Sequence, residues 1–114
     1  MRTEADRTYL LHILQCIALI QDYTASGRQE FMANVLVQDA VLRRLQTMAE
    51  STQRLSDRLK AQAPEVDWRS LSGFRNVLVH DYLGGIDLGR VWDAVDVDLP
   101  GLEAAIKKLI VIQE

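Results

Sequence analysis

The sequence is poor in the residues that interrupt or staple a chain: one cysteine, two prolines and six glycines in 114 residues. A single cysteine, Cys16, excludes an internal disulfide. With only two histidines beside it, these side chains supply no closed zinc set, so no metal site is expected. So few Pro and Gly, with 48% apolar residues, exclude a disordered or low-complexity chain and point to a regular globule with one core. No apolar run approaches the roughly 20 residues of a membrane span. The stretch Met1 to Arg7 lacks the basic-then-apolar layout of a secretory signal, so the expectation is a soluble cytoplasmic protein without membrane association. The formal net charge of −3 argues against bulk electrostatic capture of nucleic acid. A local cationic site remains open, because Arg43, Arg44, Arg54, Arg58, Lys60, Arg69 and Arg75 crowd the middle third. No Gly-rich phosphate loop is present, Gly84-Gly85 reads as a helix terminator, and no cofactor is expected.

What is present is helical rhythm. Leu10, Ile13, Leu14, Ile17 and Ile20 recur at three- and four-residue steps, predicting a helix from near Thr3 to a glycine cap at Ser26-Gly27. Val37, Val41, Leu45, Met48, Thr52, Leu55 and Leu59 predict a longer second helix ending at Pro64. Asp67 is a suitable N-cap for a third helix from Trp68, carrying Leu71, Phe74, Leu78 and Tyr82 on one side and fraying near Gly84-Gly85. A brief helix over residues 87–95 would be anchored by Trp92. A last helix would open at Asp98-Leu99-Pro100 with Leu102, Ile106, Leu109 and Val111 or Ile112 facing the core. No alternating strand pattern competes. The fold class is all-α, an antiparallel bundle of four main helices plus a short one, in a single domain over residues 1–114.

The chemistry gathers in Arg75-Asn76-Val77-Leu78-Val79-His80-Asp81-Tyr82. An arginine fork matches phosphate oxygens, and a histidine can give or take a proton near neutral pH. That is the minimum equipment for cutting a phosphodiester without a metal. On one regular helix, however, Arg75 and His80 point roughly 140° apart. Two copies of the helix related by a twofold axis would place both pairs around one cleft, as would arginine reach or a distortion at the helix end. The bland alternative is a surface ion pair at Arg75 and a C-terminal histidine favoured by the helix dipole. Elsewhere, His12 and Cys16 lie one turn apart but read as a packed helix residue and a small buried hydrophobe. Trp68 and Trp92 read as core anchors.

The spacing resembles the Arg-x4-His-x-Tyr signature of HepT-like proteins, a branch of the HEPN ribonuclease superfamily that acts as toxin in toxin–antitoxin pairs. Tyr9 to Leu14, Asp39 to Leu45, Pro64 to Arg69, Asp87, Val91-Trp92 and Asp98 to Leu102 also look like the HepT pattern, in the right order along most of the chain. At Met48 to Ser51, where the family often reads Gly-Glu-Ala, only Glu50 fits cleanly.

The resemblance implies a metal-independent endoribonuclease. His80 would assist attack of the ribose 2′-hydroxyl or protonate the leaving oxygen, Arg75 would neutralise the pentacoordinate phosphate, and Asn76 would orient it. It further implies a homodimer and a partner, a minimal nucleotidyltransferase antitoxin that transfers AMP to Tyr82. The rival expectation is a non-catalytic helical subunit that docks on a nucleotidyltransferase.

Overall fold

Leu10, Ile13, Ile17 and Ile20 fall on one face of a 20-residue helix, α1 (Glu4–Tyr23), and all four are fully buried. Burying a side chain of this size contributes on the order of 2 kcal/mol, so this stripe fixes which face of α1 turns inward. The structure is a computed structural model that describes residues 4–71 and 85–113. Among these residues there is no strand, and no helix is long and apolar enough to cross a membrane.

The partner of α1 is α3 (Val35–Arg54), which turns Val41, Leu42, Leu45, Met48 and Ala49 inward. Polar contacts across the seam set its direction. Asp6 meets Ser56, the Arg54 guanidinium lies 6.0 Å from the Tyr9 ring centre, His12 meets Ser51 and Cys16 meets Thr47. The partner number falls as α1 climbs, so the two helices run antiparallel.

The turn between them departs from the expectation of a glycine cap. Helix α1 stops at Tyr23, and Gly27 sits at φ 94°, ψ −178°, a region essentially reserved for glycine. It is the residue before a short unpredicted helix, α2 (Arg28–Ala33), which buries Phe31. Asn34 then joins α2 to α3. Its side-chain oxygen accepts from the N–H groups of Leu36 and Val37 at 3.0 and 3.3 Å. Gln38 closes the corner by donating to the α2 carbonyls of Phe31 and Met32 at 2.9 and 3.2 Å.

The second predicted helix is also broken. It ends at Arg54, Leu55 is extended (φ −66°, ψ 144°), and α4 (Asp57–Lys60) restarts behind Ser56. The cause is Asp6, a buried carboxylate near the start of α1. It accepts from the Ser56 N–H at 2.9 Å and the Ser56 hydroxyl at 2.7 Å, while that hydroxyl accepts from Leu59 N–H. Leu55 and Leu59 stay buried on both sides of the break, so the apolar rhythm runs on where the backbone does not.

Past Pro64 the chain turns into helix again at residues 68–71, with Asp67 as N-cap. The Trp68 indole N–H donates to the carbonyls of Lys60 and Ala63, tying this turn to α4. The remainder of the predicted third helix lies outside the described residues. After Gly85 (φ 91°), Asp87 caps α5 (Leu88–Asp93), where Trp92 packs 5.6 Å from Phe31.

The last helix does not open afresh at Asp98. A π-helical turn over Ala94–Asp98 carries α5 into α6 (Leu99–Gln113), with Leu99 N–H reaching back five residues to the Ala94 carbonyl. Pro100 has no N–H to contribute, and the wider turn accommodates that loss without ending the helix. Leu102, Ile106 and Leu109 are buried as expected. Val111 and Ile112, 69% and 51% exposed, are not: Ile110 packs on the core instead.

Candidate active site

The signature residues Arg75, Asn76, His80 and Tyr82 lie outside the described residues. What the structure gives is the frame on either side of them. Before the signature, Asp67 holds the first helical turn in place: its carboxylate accepts from Ser70 N–H at 3.0 Å and from the Ser70 hydroxyl at 2.7 Å. The Ser70 hydroxyl, then its N–H, with the Arg69 charge adding to both, hold the Asp67 carboxyl below its ordinary value. After the signature, the Asp87 carboxylate accepts from Arg90 N–H at 3.2 Å, fixing the start of α5. Asp67 is the capping residue the sequence pointed to.

Residues from both flanks share one cleft. Ser70 and Leu71 from one side, and Arg90, Asp93 and Ala94 from the other, line one cleft of about 560 Å³. Its floor is apolar, from Leu45, Met48, Val66 and Leu102, and its rim carries Glu65, Asp67, Asp93, Asp98 and Arg90. A pocket of this size with a few convergent polar groups is the usual form of a ligand site. Sequence reading missed Arg90, whose place on the rim depends on the turn of the chain at residues 85–87.

A second polar group sits in the α1–α3 seam. The His12 Nδ1 lies 2.6 Å from the Ser51 hydroxyl, and the Cys16 thiol lies 3.5 Å from His12 Nε2 and 3.6 Å from the Thr47 hydroxyl. Cys16 is fully buried and Ser51 nearly so, so this group satisfies polar atoms inside the seam. Among the described residues no three His, Cys, Asp or Glu side chains come together to hold a metal ion. Trp68 and Trp92 both pack on the core, as read from the sequence.

The profile of the family described as "Ribonuclease HepT-like" matches residues 13–109, a span that contains the signature and both of its flanks. A protein of Thermococcus cleftensis named "Probable ribonuclease HepT" is 31% identical over 104 residues, covering 90% of this chain and 94% of that one. A protein of Methanocaldococcus jannaschii named "Gamma-glutamylcyclotransferase and putative RNase" is 32% identical over 105 residues. The match covers 91% of this chain, which spans only 47% of that longer protein. A "Putative RNase" of Caldanaerobacter subterraneus subsp. tengcongensis is 28% identical over 91% of this chain and 93% of its own length. No solved structure gave a significant match. The chain belongs to the HepT-like ribonuclease family, within the HEPN superfamily.

Proposed function

We propose that this chain is the toxin of a toxin–antitoxin pair, an endoribonuclease that cuts RNA with Arg75 and His80 and is silenced by AMP transfer to Tyr82. The observation that carries the reading is the family match over residues 13–109, a span that includes the signature. The endonuclease class follows the family, and the residue roles follow the chemistry of the side chains.

In the reaction, the ribose 2′-hydroxyl attacks the adjacent phosphorus and the bond from phosphorus to the 5′-oxygen breaks. The products are a 2′,3′-cyclic phosphate and a 5′-hydroxyl. His80 takes the proton of the attacking hydroxyl or supplies one to the leaving oxygen. Arg75 neutralises the charge on the pentacoordinate phosphate, and Asn76 hydrogen-bonds and orients it. Because Arg75 and His80 diverge on one regular helix, two copies of the chain supply both pairs to one cleft in a twofold dimer.

The restraint is a minimal nucleotidyltransferase. Transfer of AMP from ATP to the Tyr82 phenol releases pyrophosphate and places a nucleotide phosphate two residues from His80. An arginine–phosphate pair is strong, so the adduct would occupy the guanidinium that RNA needs and fill the site sterically. The test is co-expression with a minimal nucleotidyltransferase of the proposed antitoxin type, followed by intact-mass measurement and a growth assay. The wild-type chain gains nucleotide mass and growth is rescued, while Tyr82→Phe keeps its toxicity and gains none. Equal modification of Tyr82→Phe, or no toxicity of the wild-type chain expressed alone, overturns the reading. The second outcome would favour a passive subunit.

A further inference from the structure

We infer that the cleft walled by α5, the π-turn and α6 is a docking groove for a basic amphipathic helix of a partner protein, independently of any activity on RNA. Arg90, Asp93, Ala94, Val97, Asp98 and Gly101 form one stripe down this wall, roughly 16 Å long or about three helical turns. A regular α-helix would not hold the stripe together. Asp93 and Asp98 are five residues apart, which on an α-helix turns them roughly 140° from each other. The π-turn over Ala94–Asp98 closes its hydrogen bond at five residues instead of four, so residues five apart stand nearly in line and both aspartates line the cleft.

The groove is apolar inside and acidic at its edge. Leu45, Met48 and Leu102 make the floor, and Val97 on the wall stays 68% exposed. A side chain added at Gly101 would meet nothing within 4 Å, so the groove is open there. Four carboxylates and one arginine surround this surface. Asp67 is engaged by Ser70, and Glu65 pairs with Lys108 at 3.9 Å. Asp93 and Asp98 are exposed, and among the described residues their carboxylates accept no hydrogen bond and pair with no cation.

This pattern selects the occupant. A nucleic-acid strand or an acidic peptide is repelled by the rim. A neutral apolar ligand would cover the floor but strip water from Asp93 and Asp98 without replacing it. A helix with leucine-like side chains on one face and lysine or arginine along its edges does both: it fills the floor and pairs the two aspartates. Helices that dock in grooves present anchors at i, i+3, i+4 and i+7, a spacing that fits within a wall of about three turns. Complementary charge at such a rim chooses the partner and speeds encounter, while the apolar floor supplies the hold.

The test measures binding of a short, fluorescently labelled synthetic peptide of leucine and lysine, with leucine on one helical face, by anisotropy at physiological salt. The wild-type chain should bind it, and should not bind the same pattern built with glutamate for lysine. Asp93→Asn with Asp98→Asn should weaken binding about fivefold and flatten its salt dependence. Val97→Ser, at an exposed position, should weaken it by a similar factor. Gly101→Phe fills the groove from a position with open space around it, and should abolish binding while thermal unfolding stays near that of wild type. Asp96→Asn is the control: it lies in the same π-turn, is exposed, and does not line the cleft. The inference is overturned if the lysine peptide does not bind, if the glutamate peptide binds as well, if Asp96→Asn loses as much as the paired aspartates, or if folded Gly101→Phe binds like wild type. It is also overturned if Gly101→Phe halves the mass of the free protein in sedimentation, since a second copy would then be what covers the groove.

Discussion

Asp67 shows how much a single side chain settles. It satisfies two donors of Ser70 at the start of a helix whose first N–H groups have no partner within the helix. Its carboxyl is held below the ordinary value, so its contribution to stability is present above about pH 4, where the unfolded chain is also ionised. That contribution is lost as pH falls through the lowered folded value, because protonation then costs the folded state more than the unfolded one. In urea unfolding, Asp67→Asn should be less stable than wild type at neutral pH, and the gap should narrow below about pH 4. A gap of constant size down to pH 2 would show that the carboxylate charge has no part in the cap. This residue was legible in the sequence, as were Trp68 and Trp92 as core anchors. A cap acts within three residues, and a tryptophan at a helix start has few other places to go. The approach of the Arg28 side chain to Gly89 at the start of α5 was not legible, because it brings together segments about 60 residues apart.

At the scale of elements, the apolar periodicity located the long helices and misplaced their ends. Leu55 and Leu59 keep the rhythm of α3 although the backbone breaks between them, since burial is a property of the face and not of the hydrogen-bond ladder. The agent of the break is Asp6, fifty residues earlier in the chain, and no local pattern reveals it. Asp6→Ala should remove the acceptor of the part-buried Ser56 N–H and hydroxyl and destabilise the fold by about 1–3 kcal/mol. Urea denaturation checks this, and a change below about 0.5 kcal/mol would show that Ser56 is capped well enough without it. The π-turn at Ala94–Asp98 misled in the opposite sense. Asp98-Leu99-Pro100 has the local form of a helix start, yet Val95, Leu99 and Leu102 are all buried along one continuous helix. Val111 and Ile112 then fall out of phase with the stripe of Leu102, Ile106 and Leu109, which explains their exposure.

Across the whole molecule, the helices from α1 to α6 build a scaffold in which residues from both flanks of the signature line one cleft. The residues proposed for catalysis stand within eight consecutive positions, and arginine and histidine at that spacing become informative once the rest of the chain follows the family pattern. Under the proposed reading their mutual geometry depends on a second copy of the chain, which no pattern within one sequence displays. At concentrations where the protein is active, sedimentation equilibrium should give twice the chain mass of 12.9 kDa. Full activity in a species of one chain mass would remove the twofold site.

The central claim is that this chain cuts RNA with His80. The direct measurement is single-turnover cleavage of RNA by purified, antitoxin-free protein in the presence of a chelator, comparing wild type with His80→Ala at matched thermal stability. The account predicts fragments ending in 2′,3′-cyclic phosphate from the wild-type chain, and a rate lower by about 10²–10⁴ in the variant. Undiminished cleavage by folded His80→Ala would contradict it.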